Sequence, residues 1–332
     1  MSAVELRSSV SMSARLASLS LFEANVRPRT SSLYRTAAAS FMIWYERQSG
    51  SFSSMFHIDS HLAIYLDDLY NSQTVSFGFA NQVVFGLMHL LPSWKHQLPM
   101  ARRALSGWKK LRKTHSYPPM CWDLVCLLAV QMATVGWYDE ALVTLIAYDG
   151  YFRTASELLT LKVKHIGVST KSAAQSLSSS ATTTYYLRLK HTKTGANKLV
   201  TLTKPVLGSA LLSFARIHDR SDNEVVFQFS GDHYRKRFKH ACEMLGWGSV
   251  GFVPHSLRHG HATDDFEAGV PIEDILVRAR WASIQSTRRY IQSGRAHLIR
   301  GRLNSILPPL PSYQPADVLV LVQEAYLRSL PQ

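Results

Sequence analysis

The first third of the chain alternates apolar and polar residues with the period of an α-helix. Leu62 and Leu66 lie four residues apart, and this spacing places them on one side of a helix. The pattern predicts successive helices over residues 31–48, 58–70, 81–91 and 99–113. Asp59 and Ser60 stand at the start of the second helix, where capping residues are preferred. We therefore expect the first domain to be helical.

The pattern changes from helical spacing to alternation in the middle of the chain. Residues 185–189 alternate between apolar and polar and predict a strand, which turns at HTKTGAN and returns as residues 198–203. An earlier strand is predicted over residues 161–168. The Ser- and Thr-rich residues 169–184 are interpreted as a flexible loop. These segments predict a small antiparallel sheet.

Helical spacing surrounds this sheet on both sides. The predicted helices cover residues 121–135, 139–148, 204–215, 232–245, 255–269 and 316–327. Asp232 is interpreted as the N-cap of one, Gly269 as the end of another, and Ser283 as the cap of a short helix that contains Tyr290. Residues 225–229 are interpreted as a short apolar strand or an extended piece. The fold class that follows is mainly α with a small antiparallel β-sheet, an α+β fold.

Polar and proline-containing stretches divide the chain. The sequence KTHSYPP over residues 113–119 is typical of an interdomain linker, and PPLPSYQPAD forms a proline-rich break near the end. The predicted parts are a flexible leader over residues 1–19, a helical domain over residues 20–115, a second domain over residues 120–300 and a tail helix within residues 301–332.

The charge of the chain predicts a polyanionic partner. Lysine and arginine number 37 against 23 acidic residues, which gives a net charge of +14, and this favours nucleic acid over a membrane surface. The helix over residues 99–113 is basic, and no acidic residue occurs between Pro99 and Tyr117. The candidate DNA-backbone contacts are Arg102, Arg103, Lys109, Lys110, Arg112 and Lys113 in this helix, and Arg235, Arg237 and Lys239 in the helix over residues 232–245. A merely solvated face is the alternative for both helices.

Cysteine usage and hydropathy indicate the compartment. The chain contains three cysteines, an odd number without metal-ligand spacing, which are interpreted as reduced core residues of an intracellular protein. No run of eighteen apolar residues occurs, so no membrane span is expected. The sequence shows no acidic cluster for a metal ion, and we expect no metal and no cofactor.

The segment from Pro254 to Tyr290 concentrates side chains that suit chemistry on a phosphodiester. His255 and Arg258 lie three residues apart, on one face of a predicted helix. The guanidinium of arginine can hold two phosphate oxygens at once. His255 and the indole N–H of Trp281 can donate to the charge that develops on those oxygens. Tyr290 can act as a covalent nucleophile.

This segment resembles the catalytic motif of the tyrosine recombinases, the phage integrase family. The family pattern is His-x-Leu-Arg-His, a small residue and Ala-Thr, then a Gly-x-Pro turn, a His or Trp, and a Tyr nine residues later. The matching residues are His255, Leu257, Arg258, His259, Ala262, Thr263, Gly269, Pro271, Trp281 and Tyr290. The ordered string covers about forty residues and is specific, whereas a single His-x-x-Arg pair would not be. The basic helix over residues 99–113 resembles the DNA-clamping core-binding domain by position more than by motif.

The resemblance also assigns roles outside this segment. It implies that Arg153 is the first phosphate-binding arginine, with Glu157 orienting its neighbours without reacting. The family spaces these two residues by three, and here the spacing is four. It further implies a catalytic lysine on the β-hairpin, seven residues before an apolar valine. Lys193 fits this position relative to Val200 and would protonate the leaving 5′ oxygen, while Lys190 and Lys198 are the alternatives.

The implied activity is DNA recombination or integration, as in mobile elements. The resemblance implies double-stranded DNA as the partner, a homo-tetramer on paired DNA sites, a 3′-phosphotyrosyl intermediate and a location with DNA inside the cell. It suggests that the tail helix docks on a neighbouring protomer, and packing of this helix in cis is the alternative. Two other hypotheses for the function stay open: a type IB topoisomerase-like enzyme, and a catalytically inactive DNA-binding protein derived from a recombinase.

Overall fold

The computed structural model describes residues 25–49, 54–112, 116–171, 182–192, 195–304 and 314–329. The chain divides into two compact units between residues 115 and 116. Both units contain the helices expected from hydrophobic spacing, and the second also contains a three-stranded antiparallel sheet. The predicted fold class, mainly α with a small antiparallel sheet, is therefore confirmed. None of the helices in the described ranges combines the length and apolar character needed to cross a bilayer.

The first unit is built from helices around an aromatic and aliphatic core. Its helices are α1 (Pro28–Ser49), α2 (Met55–Ser72), α3 (Phe77–Leu90) and α4 (Pro99–Leu111), with a 3-10 turn at Pro92–His96. Helix α1 packs on α3, and α2 packs on α4. Phe41, Leu62, Val84 and Trp94 lie in this core. Each helix encloses or overlaps the segment predicted from the sequence, with ends displaced by a few residues.

The cap of α2 differs from the prediction. Helix α2 begins at Met55, and the hydroxyl of Ser54 accepts a hydrogen bond from the backbone N–H of His57 at 3.2 Å. Asp59 instead lies buried inside α2, where its carboxylate accepts the backbone N–H groups of Met100 and Ala101 at 2.8 and 2.9 Å. The expectation that Asp59 caps its own helix is wrong, because its charge is used at the N-terminus of α4, where backbone donors are unpaired and the helix dipole is positive.

Removal of this carboxylate tests its role in the first unit. We expect Asp59→Ala to lower the free energy of unfolding by about 1–2 kcal/mol, because two backbone donors lose their acceptor. Urea denaturation of the full chain measures the change. Asp68→Ala, in the same helix but exposed, serves as the matched control and should change stability by less than about 0.5 kcal/mol. Equal effects of the two substitutions would contradict the assignment.

The second unit combines helices with the small sheet. Its helices are α5 (Trp122–Thr134), α6 (Tyr138–Asp149), α7 (Pro205–Ile217), α8 (Gly231–Met244), α9 (Pro254–Glu267), α10 (Ile272–Ala279), α11 (Ile284–Tyr290), α12 (Ser293–Asn304) and α13 (Pro315–Ser329). Its strands are β1 (Ile166–Lys171), β2 (Thr182–Thr192) and β3 (Gly195–Thr201), in the order β1-β2-β3. Leu187 of β2 lies opposite Ile166 on one side and Val200 on the other. The apolar helices α5 and α6 pack against each other at the centre of the core.

Several predicted boundaries in this unit are wrong. The first strand begins at Ile166, after a 3-10 turn at Val163–His165, and continues to Lys171. Residues 169–171 therefore belong to a strand and not to the predicted loop, because they pair with residues 182–184 of β2. Threonine favours strands once a partner is present, so composition alone misplaced this end. Residues 172–181 of the predicted loop lie outside the described residues.

Local predictions elsewhere in this unit have mixed outcomes, and one predicted helix cap is wrong. Helix α8 is capped by Ser230, whose hydroxyl accepts from the backbone of His233 at 3.1 Å, and not by Asp232. In the predicted extended piece over residues 225–229, Val225 forms a single bridge to Lys162. Helix α12 was not predicted. The cap of α11 by Ser283 is confirmed, since its hydroxyl accepts from the backbone of Ser286 at 3.2 Å.

The tail helix α13 packs in cis within the second unit. It lies against α5, α6 and α7. Val318 and Val322 are fully buried and join the same core as Ile299 and Leu303 of α12. Of the two arrangements left open by the sequence, the structure therefore has the cis arrangement, in which the tail completes the core of its own unit.

Candidate active site

Helix α9 presents the central motif and is fixed tightly to the rest of the second unit. Gly260 allows this approach, because a Cβ there would lie 1.7 Å from the backbone oxygen of Met120. Asp264, one turn further on, accepts the backbone N–H of Trp122 at 2.8 Å and the hydroxyl of Tyr148 at 2.5 Å. These contacts set the position of His255 and Arg258 on the same helix.

Tyr290, the last residue of α11, reaches the motif on α9. Its hydroxyl lies 3.0 Å from Nε2 of His255. Its ring stacks on Trp281, with centroids 4.0 Å apart, and on His259, with centroids 4.4 Å apart. The backbone oxygen of Tyr290 lies 3.2 Å from Nδ1 of His259. The motif residues predicted from the sequence are thus brought together by α9 and α11.

Arg258 is fully buried beside the tyrosine. Its guanidinium donates to the backbone oxygen of Tyr151 and, at 2.9 Å, to that of Ala279. The guanidinium carbon lies 6.0 Å from the centroid of the Tyr290 ring. Burial, together with the neighbouring charges of Arg153 and Arg280, lowers the pKa of Arg258 to about 9. The group is therefore still a cation at neutral pH.

Arg153 and Glu157 form the predicted pair despite their spacing of four. Nη1 of Arg153 lies 2.6 Å from Oε1 of Glu157, and the backbone N–H of Arg153 donates to Oε2 at 3.0 Å. The two residues do not lie in a regular α-helix. Arg153 precedes a π-helical turn at Thr154–Leu158, and this turn presents both side chains on the same side.

The carboxylate of Glu157 has three arginines around it. Besides Arg153, it contacts Nη2 of Arg280 at 2.9 Å and Nη1 of Arg258 at 3.9 Å. Burial acts to raise the pKa of Glu157, but Arg280, the backbone of Arg153 and Arg258 outweigh it, so the pKa is lowered. The group is an ionised counter-charge for the arginines. Sequence reasoning missed Arg280, because its partner lies 123 positions away and no spacing links the two.

His255 lies beside a pocket of about 320 Å³. The pocket is also lined by Arg235, by residues 152–156, which include Arg153, and by residues 253–254. Burial lowers the pKa of His255 to about 3, and the charges of Arg258, His259 and Arg153 act in the same direction. His255 is therefore neutral at pH 7, and its Nε2 can accept the proton of a phenol.

Some buried donors of the site lack a hydrogen-bond partner within the described ranges. The two that lie beside the Tyr290 ring are Nε of Arg258 and Nε1 of Trp281. Buried donors without acceptors are costly in a folded protein. An anion placed beside Tyr290 would provide such an acceptor.

The two buried histidines make folding stability depend on pH. Burial lowers the pKa of His255 to about 3 and that of His259 to about 4, whereas an unfolded histidine titrates near about 6.5. Between these values the unfolded chain binds more protons, so the free energy of unfolding rises with pH. We expect this stability to be complete above about pH 6.5 and to be lost towards about pH 4, with a slope of up to about 1.4 kcal/mol per pH unit for each histidine.

Urea denaturation at a series of pH values measures this slope. The double variant with His255→Gln and His259→Gln removes both titrating groups and should flatten the curve between about pH 4 and 6.5. A slope in the double variant equal to that of the natural chain would contradict the assignment.

His261 has a packing role. Its ring stacks on Tyr148 and Tyr151, with centroids 4.5 and 4.2 Å apart. Its Nδ1 lies 2.7 Å from the backbone oxygen of Tyr148. These contacts join α9 to the end of α6 and leave His261 outside the group around Tyr290.

The candidate DNA contacts differ in accessibility. Helix α4 buries Ala101, Leu105 and Trp108 on one face. Its predicted basic contacts are exposed on the other face: Arg102, Arg103, Lys109, Lys110 and Arg112. Lys113 and the candidate general acid Lys193 lie outside the described residues. The exposed side of α4 therefore carries several cationic side chains, and Arg112 adds another directly after the helix.

The basic residues of α8 divide into two kinds. Arg235 and Lys239 are exposed, and Arg235 also lines the pocket beside His255. Arg237 is half-buried and bonded to the buried Glu140 at 2.7 Å. This ion pair gives Arg237 a structural role, so Arg235 and Lys239 are the better candidates for DNA contact.

No group of three or more His, Cys, Asp or Glu side chains in the described ranges is placed to hold a metal ion.

Comparison with known proteins gives one family and a consistent fold. The model of the phage integrase family matches residues 127–297, just over half of the chain. No curated protein sequence matches. The Tn1549 transposon integrase in complex with transposon right end DNA has a TM-score of 0.56 at 13% identity, over 89% of this chain and 99% of that one.

Two further solved structures agree with this result. The XerH site-specific recombinase bound to palindromic difH substrate has a TM-score of 0.54 at 15% identity, over 83% of this chain and 78% of that one. A lambda integrase dimer bound to a COC′ core site has a TM-score of 0.54 at 14% identity, over 87% and 77%. At these identities the likeness establishes the fold. Together with the family match, it shows that this chain belongs to the phage integrase family of tyrosine recombinases.

Proposed function

We propose that this protein is a site-specific DNA recombinase that cleaves and rejoins DNA through a covalent bond to Tyr290. The observation that supports it most is the Tyr290 hydroxyl, 3.0 Å from a neutral His255 and next to the buried cation Arg258. A phenol has a pKa near about 10, so attack at neutral pH needs a base within hydrogen-bond distance. His255 lies within that distance, and the negative charge of a bound phosphate would raise its pKa from the low value that burial gives it in the free protein.

The cleavage step follows from this arrangement. The Tyr290 oxygen attacks the scissile phosphorus while its proton moves to Nε2 of His255. The bond from phosphorus to the 5′ oxygen breaks, and Lys193 is the proposed proton donor to that oxygen. The products are a 3′-phosphotyrosyl ester and a free 5′ hydroxyl. A 5′ hydroxyl from the partner strand then attacks the ester and restores both the DNA backbone and the phenol.

Cations and donors around the phosphate supply the electrostatic stabilisation. Arg153 and Arg258 are proposed to hold the non-bridging oxygens, whose charge increases in the transition state. The unpartnered Nε of Arg258 and Nε1 of Trp281 fit the role of additional donors. Glu157 keeps the arginines in place without reacting. No external energy source is required, because the ester conserves the energy of the phosphodiester bond.

Duplex DNA is the proposed substrate, and the exposed basic residues of α4 and α8 are its proposed backbone contacts. The net charge of +14 supports a polyanionic partner. Exchange between two duplexes needs two sites and two strands at each, so we propose a homo-tetramer on paired sites. The protein would act where the DNA is, inside the cell.

A nicked suicide substrate tests the proposal. Cleavage near a nick releases a short fragment, so the covalent intermediate cannot be reversed and accumulates. We expect a protein–DNA adduct that survives denaturation, and recombinant product when two intact sites are supplied. Relaxation of supercoils without exchange between sites would indicate a topoisomerase-like enzyme instead.

The spacing of four between Arg153 and Glu157 favours a second candidate, a DNA-binding protein without catalysis. The ion pair at 2.6 Å argues that the spacing still gives a working geometry. Binding of duplex DNA with no adduct from the suicide substrate would support this second candidate.

A further inference from the structure

Two residues of the site adopt a backbone conformation that side chains disfavour. Four non-glycine residues in the described ranges have positive φ, and two of these, Tyr151 at 51° and Arg280 at 57°, are in contact. Nη2 of Arg280 donates to the backbone oxygen of Tyr151 at 2.8 Å. Left-handed conformations of this kind persist where the surroundings enforce them and are concentrated at functional sites.

The side chain of Arg280 connects two distant segments of the catalytic unit. It is 8% exposed. It donates to the backbone oxygen of Gly150 at 3.1 Å, and its guanidinium carbon lies 5.3 Å from the ring centroid of Phe152. On the other side, Arg280 directly precedes Trp281. The segment that leads to Arg153 is thereby fixed against the segment that leads to Tyr290.

The two oxygens of Glu157 have different arginine partners. Oε1 is bonded to Nη1 of Arg153 at 2.6 Å, and Oε2 is bonded to Nη2 of Arg280 at 2.9 Å. Arg258 remains 3.9 Å from Oε2, beyond hydrogen-bond distance. Without Arg280, Oε2 would lose this bonded side-chain cation, and Arg258, at 3.9 Å, is positioned to move closer to it.

We propose that Arg280 is a positioning residue that keeps Arg258 available for the scissile phosphate by occupying Glu157. A hydrogen-bonded ion pair, closer than the present 3.9 Å, between Glu157 and Arg258 would turn the guanidinium away from the phosphate and neutralise more of its charge. Arg280 would therefore act on the chemical step through Arg258, without contact to DNA. This inference rests on the proposed function and adds to it a residue outside the recombinase motif.

The substitution Arg280→Gly tests the role with little backbone cost, because glycine accepts positive φ. We expect single-turnover cleavage of the suicide substrate to slow by about 100-fold, the scale of a small misplacement of a catalytic group. Duplex affinity should stay within about threefold, since Arg280 is buried. Free guanidinium ion at millimolar, non-denaturing concentration fits the vacated position and should restore most of the lost rate.

Arg278→Ala is the matched control. Arg278 lies in the last turn of α10, two residues before Arg280, and pairs with Asp265 at 2.6 Å. Its loss should leave the cleavage rate within about threefold, and guanidinium should have no effect. If Arg280→Gly does not fold, Arg280→Lys tests the role of Arg280 instead. We expect this variant to lose cleavage rate at unchanged duplex affinity, because lysine cannot bridge Tyr151 and Glu157 together. Cleavage at the natural rate, or an equal loss in Arg278→Ala, would overturn the role of Arg280. Absence of adduct from the natural chain would instead contradict the proposed function.

Discussion

Replacement of Tyr290 by phenylalanine is expected to abolish covalent capture of DNA while leaving duplex binding intact. The variant keeps the ring that stacks on Trp281 and His259 and removes only the attacking oxygen. Loss of the nucleophile in a covalent mechanism lowers the rate on the order of 10⁴-fold or more. Adduct formation on the suicide substrate and affinity for intact duplex are the two measurements.

A control for this substitution is available in the same unit. Tyr185→Phe removes a phenolic oxygen from strand β2, where the ring lies against Gly208 of α7, and should leave adduct formation unchanged. The Tyr290→Phe variant should also unfold within about 1 kcal/mol of the natural chain, because it loses one hydrogen bond. Parallel loss of adduct and of duplex binding would point to a folding defect and contradict the assignment of a purely chemical role.

Removal of the Glu157 carboxylate is expected to have the largest effect on stability. Glu157→Ala leaves Arg258 and Arg280 buried without their shared counter-charge. Loss of one partner of a buried ion pair costs about 3–5 kcal/mol. We therefore expect the free energy of unfolding of the full chain to fall by this amount in urea denaturation.

Two comparisons separate charge from packing at this position. Glu157→Gln retains the shape and a hydrogen-bond acceptor and should give a smaller loss than Glu157→Ala. Glu243→Ala removes an exposed acid that pairs with Lys239 at 3.5 Å, and exposed pairs contribute about 1 kcal/mol or less. A loss below about 1 kcal/mol for Glu157→Ala would show that the carboxylate does not hold the arginines together.

The residues of the central motif could be predicted because local spacing determines where they point. His255 and Arg258 share one face of a helix that the apolar pattern also predicts. The cap at Ser283 sets the short helix that ends in Tyr290. The spacing of nine from Trp281 to Tyr290 then corresponds to a short connection followed by the two helical turns of α11. These interactions join residues that are close in the sequence, so the folded structure keeps the local geometry that the sequence predicts.

The parts that could not be predicted depend on contacts between distant residues. Asp59 caps a helix some forty positions later in the chain, so its cap chemistry was assigned to the wrong helix. Arg280 meets Glu157 only because α10 ends in a left-handed turn, which the sequence does not indicate for an arginine. The strand over residues 169–171 forms because β2 supplies its partner. In each case the tertiary partner overrides the local preference.

The cis packing of α13 affects how the protein can assemble. Val318 and Val322 are already buried in the core of the second unit, so a tail that docked on a neighbouring protomer would first have to leave this position. The proposed tetramer is therefore based on the need for strand exchange between two duplex sites, and not on a free tail helix.

The most direct test of the central claim identifies the residue bonded to DNA. The complex trapped on the nicked substrate is digested with trypsin, which cleaves after Arg289 and Arg295, and the DNA-linked peptide is sequenced by mass spectrometry. The account predicts that the peptide Tyr290–Arg295 is linked through the phenolic oxygen to a 3′ phosphate. A bond to any other residue, or to a 5′ phosphate, would contradict it.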